Sequence, residues 1–360
     1  MGQIRVAIAG LGNCASALVQ GIHYYKDVTG KEERVPGLMH PIFGDYLLRD
    51  IKFVAAFEVN AGKLGKDISE AIFVPPNCVI KFTEIPSLGV KVLPAPIMDG
   101  VAEHMFGAFD VYDPKKIEPV DVAEELRRSK AEMLINFLPV GSAKASRYYA
   151  QAALDAGCGF LNCIPEFIVS DRGWQEKFHK AGLPMAGDDI KSQVGATILH
   201  RVIAQLLSDR GIEIDETYQL NIGGNTDFLN MTAEHRLTSK RISKTEAVTS
   251  ILDYPVPTRI GPSDYVPFLN DTKICYIHAQ GKKWGGMPLH IALKLSVQDS
   301  PNSAGVVADV IRATKIALDR GISGPLLSIS AYSFKHPPEQ IEDSIAKRYV
   351  EEFIQGERER

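Results

Sequence analysis

Residues 187–195, Gly-Asp-Asp-Ile-Lys-Ser-Gln-Val-Gly, set two carboxylates, a lysine and a serine between two apolar runs. The run before them, 183–186, reads as the end of a buried strand, and 196–207 repeats apolar residues at helical spacing. Ser192 is placed to cap that helix, whose first backbone N–H groups are unpaired and suit a phosphate or another anion. More polar clusters follow: 221–230, which contains Asp227, then 239–244, Asp271-Thr272-Lys273, 299–303, which opens on Asp299, and the late Lys335. If helical, Lys240 and Lys244 share one face, at a cost of a few tenths of a kcal/mol. Crowded ammonium groups depress one another's pKa and can both bind phosphate and move protons. A solvated surface is the plainer reading of any single lysine. Asp299 could start the helix after it, or orient a lysine or a cofactor.

The elements that must position these residues are legible as alternation. Residues 4–9 form a buried-strand pattern that runs into Gly10-Leu11-Gly12-Asn13-Cys14-Ala15 and then a helix from about 15 to 25. This is the G-x-G-x-x-A fingerprint in its strand–turn–helix context: Gly10 for the tight turn, Gly12 for approach to a pyrophosphate, Ala15 for helix–strand packing. A polar insertion, 26–50, separates it from the strand 51–59. Glu58 closes that strand, where a carboxylate accepts both ribose hydroxyls of NAD and repels a 2′-phosphate. Asp67 is a second candidate for the adenosine side, though it reads better as a helix-start carboxylate. Residues 79–114 are broken by proline and glycine and read as irregular. Helices at 120–129, 143–156 and 174–181 then alternate with strands at 133–138, 160–164 and before Gly187, which predicts a parallel, doubly wound sheet. Loops leaving its C-terminal edge make Gly141, Asn162 and Pro165 candidate cofactor contacts. Beyond about residue 210, strands at 216–222, 274–280 and 290–297, with helical turns in 228–252, predict an antiparallel sheet in a second α+β domain. Helices at 303–320 and 337–355 close the chain.

The totals restrict function. The chain has 360 residues, enough for two domains, and a formal net charge of −4 without a basic tract, which argues against nucleic acid as a partner. Its five cysteines show no C-x-x-C pair, so neither a disulfide framework nor a zinc knuckle is predicted, and a reducing cytoplasm fits. No apolar run is long enough to span a bilayer, and the N-terminal residues lack the zones of a signal peptide.

Taken together, Gly10–Ser16, Val35-Pro36-Gly37-Leu38-Met39-His40, Gly187–Gln193, Gly223-Gly224-Asn225, 227–231, Ser239-Lys240, Ile242-Ser243-Lys244 and 299–303 resemble the myo-inositol-1-phosphate synthases, and most of all their shorter actinobacterial form. The resemblance runs over nearly the whole chain. It implies a redox-neutral isomerisation of D-glucose 6-phosphate, the first step of inositol biosynthesis: oxidation at C5, enolisation, intramolecular aldol cyclisation and re-reduction by the same NAD. It implies catalytic roles for Lys240, Lys244, Lys273, Lys335, Asp189, Asp227, Asp271 and Asp299. Ser192, Gln193, Lys244 and Lys273 would hold the substrate phosphate. The dinucleotide would meet Gly10, Gly12, Asn13, Cys14, Ala15, Glu58, Asp67, Gly141, Asn162, Pro165, Asp189, Ser192, Asp227 and Lys240. Some family members use a divalent or monovalent cation, for which no ligand set stands out in this sequence. Residues 1–193 with 302–360 would build the NAD domain, 194–301 the catalytic and oligomerising domain, and the assembly would be a homotetramer. The rival readings are a sugar-phosphate dehydrogenase that releases NADH and a non-catalytic nucleotide sensor. Retention of all four lysines weighs against the second.

Overall fold

The computed structural model describes residues 2–105, 107–233, 248–250 and 252–360. Lys240 and Lys244 lie outside the described residues. The chain runs β1 (Ile4–Ala9), α1 (Asn13–Tyr24), β2 (Ile51–Glu58), α2 (Ile68–Ala71), β3 (Val92–Pro94), α3 (Val122–Arg128), β4 (Met133–Asn136), α4 (Ala143–Ala156), β5 (Gly159–Asn162), α5 (Arg172–Lys180) and β6 (Pro184–Gly187). It continues through α6 (Ala196–Asp209), β7 (Glu213–Gly223), α7 (Thr226–Asn230), β8 (Thr258–Tyr265), β9 (Thr272–Lys283) and β10 (Met287–Gln298). It ends with α8 (Asp299–Asp319), β11 (Gly324–Pro325), α9 (Leu327–Ser333) and α10 (Asp343–Gln355).

The first sheet has seven strands in the order β11-β6-β5-β4-β1-β2-β3, all its pairs parallel. Alternate residues of β1 face opposite layers, as strand periodicity requires. Val6 and Ile8 enter the core with residues of α1, α8 and α10, while Ala7 and Ala9 join those of α3, α4 and α5. Both faces are therefore covered, the doubly wound arrangement that continuous apolar strands demand. The chain leaves β1 towards β2 and β3 and returns on the other side at β4, so strand order reverses between β1 and β4. Ligands of open α/β sheets gather at that reversal.

The second sheet, β10-β9-β7-β8, is mixed. β7, β9 and β10 are antiparallel, but β7 and β8 pair in parallel, which corrects the purely antiparallel expectation. One face packs on α6 through Ile203, Ala204, Leu207, Cys275, Ile277 and Ala279. Within the region expected to be irregular, Val92–Pro94 forms the edge strand β3. The last two long helices begin at Asp299 and Asp343 rather than at 303 and 337. Among the described residues no helix is long and apolar enough to cross a membrane.

Candidate active site

A cavity of about 270 Å³ opens at the C-terminal edge of the parallel sheet and reaches across to the second sheet. Its sheet side is the turn after β1. Gly10 has φ +88, and a Cβ there would come within 2.8 Å of the Phe137 carbonyl oxygen, so β1 and β4 can meet at the reversal only around a glycine. A Cβ on Gly12 would meet nothing within 4 Å. It would project into space that the cavity keeps clear beside the first turn of α1, which has no side-chain cap. Uncapped N–H groups behind a bare glycine fit a pyrophosphate. Asn13, Cys14, Glu58 and Pro165 also line this part. Asn13 accepts a hydrogen bond from the Cys78 N–H at 2.8 Å. Burial pushes the Cys14 thiol up to about 12, so it contributes packing and not a thiolate. The residues present fit a dinucleotide.

The other side of the cavity is charged, and its geometry comes from two backbone pairings. Residues 188–191 run against 333–336: Asp188 and His336 exchange N–H···O bonds, the Lys335 N–H donates to the Asp189 carbonyl, and the Lys191 N–H donates to that of Ser333. This register sets Lys335 beside Asp189, whose φ of 62 turns its carboxylate against the usual backbone preference. Lys335 Nζ donates to Asp189 Oδ1 at 2.7 Å and to the Ile190 carbonyl at 2.7 Å. The second pairing joins β9 to the start of α8. The Asp299 N–H donates to the Asp271 carbonyl, and Lys273 Nζ donates to Asp299 Oδ1 at 3.1 Å. Burial pulls the Lys273 pKa down, but Asp299 and Asp227 outweigh it, and the ammonium ends above its ordinary value. Lys273, Lys335, Asp189, Asp227 and Asp299 all line the cavity, as do Ser192 and the first turn of α6.

Several expected contacts turn out to be supports. Ser192 does not cap α6; the cap position is Gly195, without a side-chain bond, and Ser192 lies against it on the cavity wall. Gln193 is turned away from the cavity and donates its amide to the Gly37 carbonyl at 3.0 Å, tying the 26–50 insertion to this loop. Asp271 stands behind the wall. It accepts from Ser300 N–H and Oγ and from Asn225, and burial pushes its carboxyl up to about 6. Asn162 is fully buried and bridges Asp188 and the Glu166 carbonyl. Asp67 caps α2 and accepts from Ser87 and from the Leu88 and Gly89 N–H groups, which uses both oxygens away from the cavity. Gly141, with φ +83, serves the turn before α4 and is not on the wall. Ala15 packs between α1 and the sheet, fully buried. Glu58 is on the wall, but its oxygens already accept from the N–H groups of Leu11, Val59 and Asn60.

Sequence reasoning missed Lys63, Asn77, Thr197 and Gln219, all on the wall, whereas Asn221 and Asn225, also there, belong to the 221–230 cluster it singled out. Lys63 follows the second strand by five residues, within the loop that any such sheet turns towards its ligand, and that position was a usable signal. Asp99 was also unforeseen. Its carboxylate accepts from the Lys144 and Ala145 N–H groups, occupying the N-terminus of α4. Among the helix starts on the cavity wall, α1, α6 and α8 have no side-chain cap, but α8 opens on the carboxylate of Asp299.

Comparison with known proteins agrees with this geometry. Residues 195–300 match the sequence model of the family described as myo-inositol-1-phosphate synthase. The chain is 51% identical to an inositol-3-phosphate synthase of Corynebacterium glutamicum over 98% of each protein. It is 52% identical to one of Mycobacterium tuberculosis, over 98% of this chain and 96% of the relative. A crystal structure of a myo-inositol-1-phosphate synthase-related protein from Thermotoga maritima superposes with a TM-score of 0.80 at 25% identity, covering 98% of each chain. With half its residues shared end to end with curated synthases and the fold in common, this chain belongs to the myo-inositol-1-phosphate synthase family.

Proposed function

We propose that this chain is an isomerase that converts D-glucose 6-phosphate to myo-inositol phosphate with NAD as a redox-neutral cofactor. The observation that carries the reading is a pair of lysines, each held by its own carboxylate, on the wall of the cavity that also contains the dinucleotide turn. NAD, when bound, supplies a reversible oxidation that makes a neighbouring sugar carbon acidic.

The chain's own residues do the rest. Lys335 gives two of its N–H bonds to Asp189 and Ile190, which leaves a third donor for a substrate oxygen. A positioned ammonium there stabilises developing negative charge and can exchange a proton with the oxygen. Lys273, held protonated by Asp299, acts as a fixed cation for the oxyanion. Asp189, Asp227 and Asp299 orient these lysines. The substrate phosphate falls to the first turn of α6 with Ser192, whereas the first turn of α1 takes the pyrophosphate; Asp99 already fills the start of α4, and α7 and α8 open on the carboxylates of Asp227 and Asp299. Lys240 and Lys244 complete the set in this reading.

The same reading makes 1–193 with 302–360 the NAD domain and 194–301 the catalytic and oligomerising domain of a cytoplasmic homotetramer. Tyr218, Leu220 and Tyr276, exposed on the face of the second sheet opposite α6, offer apolar surface for a second copy. Among the described residues no three His, Cys, Asp or Glu side chains group to hold a metal ion, and the reading assigns no ligand to a cation. The deciding experiment is incubation with glucose 6-phosphate and NAD. Inositol phosphate should form with no lasting rise in NADH absorbance; accumulation of NADH would make the protein a dehydrogenase.

A further inference from the structure

The peptide of Leu11, between the two fingerprint glycines, is gripped from both sides. Its N–H donates to Glu58 Oε2 at 3.0 Å, and its carbonyl accepts from Lys63 Nζ at 2.8 Å and from Asn77 Nδ2 at 3.0 Å. Lys63 Nζ donates also to Asn77 Oδ1 at 3.0 Å and stands 3.6 Å from Glu58 Oε2. The Lys63 side chain is only 3% exposed. Burial pulls its pKa below the ordinary value, and Glu58 pulls the other way. A lysine this deep persists only with partners. Its partners are the turn that approaches the pyrophosphate and the carboxylate at the ribose position, and all four residues line the cavity.

In the usual dinucleotide fold, a carboxylate at the end of the second strand rejects a 2′-phosphate by its own charge. Here that carboxylate has a cation directly beside it. We propose that Lys63 is a positioning residue of the dinucleotide site, and that the Glu58–Lys63 pair sets the choice between NAD and NADP, Glu58 screening a cation that would otherwise receive the 2′-phosphate. The inference rests on the NAD reading of the cavity, which NADH binding by the unaltered chain tests separately.

The test uses the full chain stripped of nucleotide and titrated with NADH and with NADPH, read by nicotinamide fluorescence. The ratio of the two dissociation constants is insensitive to the fraction of folded protein, so a general loss of structure does not move it. In Glu58→Ser the ratio should shift towards NADPH by about tenfold or more, because a like-charge contact is removed and Lys63 is uncovered. In Glu58→Ser/Lys63→Gln most of that shift should vanish, since glutamine retains a donor for the Leu11 carbonyl but no charge. The double variant avoids leaving Glu58 buried without its partner. Should it fail to fold, Glu58→Ser/Lys63→Met reads the same quantity. An equal shift in both variants, or none in Glu58→Ser, overturns the proposal. Failure of the unaltered chain to bind NADH overturns the NAD reading itself.

Discussion

At the scale of single residues, the two lysines of the site are built differently, and the difference assigns their work. Lys273 is half-buried, with Asp299 at 3.1 Å and the Phe228 ring 6.0 Å from Nζ. Desolvation alone would favour the neutral amine, but the neighbouring carboxylates win and its pKa is raised. A group so held keeps its charge below its raised pKa and loses it only as pH climbs through that value, so it suits a standing cation better than a base. Lys273→Met should therefore lower turnover by about 10²–10³-fold, the usual cost of removing one charge-stabilising donor. NADH binding measured by fluorescence should survive; its loss would move Lys273 to the cofactor side. Charge pattern alone marked the polar clusters that hold Lys273, Asp227 and Asp299, but the roles of the lysines and aspartates came from the family resemblance, since any single lysine reads as well as solvated surface. Which carboxylate faces the cavity was not legible, since Asp271 and Asp299 have equally polar neighbours in sequence and only the docking of β9 on α8 separates them.

At the scale of elements, α6 supplies the helix start assigned to phosphate, and a buried histidine fixes how it lies on β7. His200 is 1% exposed; its Nε2 lies 2.7 Å from Thr217 Oγ1 and its Nδ1 3.3 Å from Gln219 Oε1, the latter residue on the cavity wall. Burial drives its pKa down to about 4 from an ordinary 6.5. The unfolded chain takes up this proton near 6.5 and the folded one only near 4, so the stabilisation is complete above 6.5 and is lost as pH falls through that window. Asp188 and Asp271, both pushed up to about 6, act in the opposite sense below that pH. The signal thus lies in a difference: between pH 7 and 5, urea melts of His200→Gln should gain about 2 kcal/mol on those of the unaltered chain. An unchanged difference would mean that His200 titrates normally. α6 and α4 were readable from apolar period alone, and β1 and β2 from continuous apolar runs. Strand β8, Thr-Arg-Ile-Gly-Pro-Ser-Asp-Tyr, was not, because its glycine and proline carry turn signals that pairing with β7 overrides. β3 has three residues, too few for any period to register.

At the scale of the molecule, three distant stretches are locked by one carboxylate. Asp343, in the first turn of α10, holds Lys191 of the loop after β6 at 3.0 Å and Arg201 of α6 at 2.6 Å, both of them 2% exposed. Burial and Arg201 pull the Lys191 pKa down to about 8, against Asp343. Asp343→Asn would leave two buried cations facing each other, and should cost on the order of 3 kcal/mol in a thermal or urea melt. A loss below about 1 kcal/mol, the range of surface pairs, would show the lock to be ornamental. No sequence pattern announces such a contact, since its members are 142 and 152 residues apart.

The order of the strands also has a consequence for synthesis. The layer over one face of the parallel sheet is completed by α8, whose Val307, Val310, Ile311 and Ala313 are wholly buried, and the sheet's outer edge by β11. Both are translated after the entire second sheet. A ribosome that has released β1 to β6 has therefore produced a sheet with one greasy side covered only by α1, and must make more than a hundred further residues before the rest of the cover arrives. The nascent chain needs shelter during that interval, and the dinucleotide pocket cannot mature until α8 and the stretch that carries Lys335 have been made.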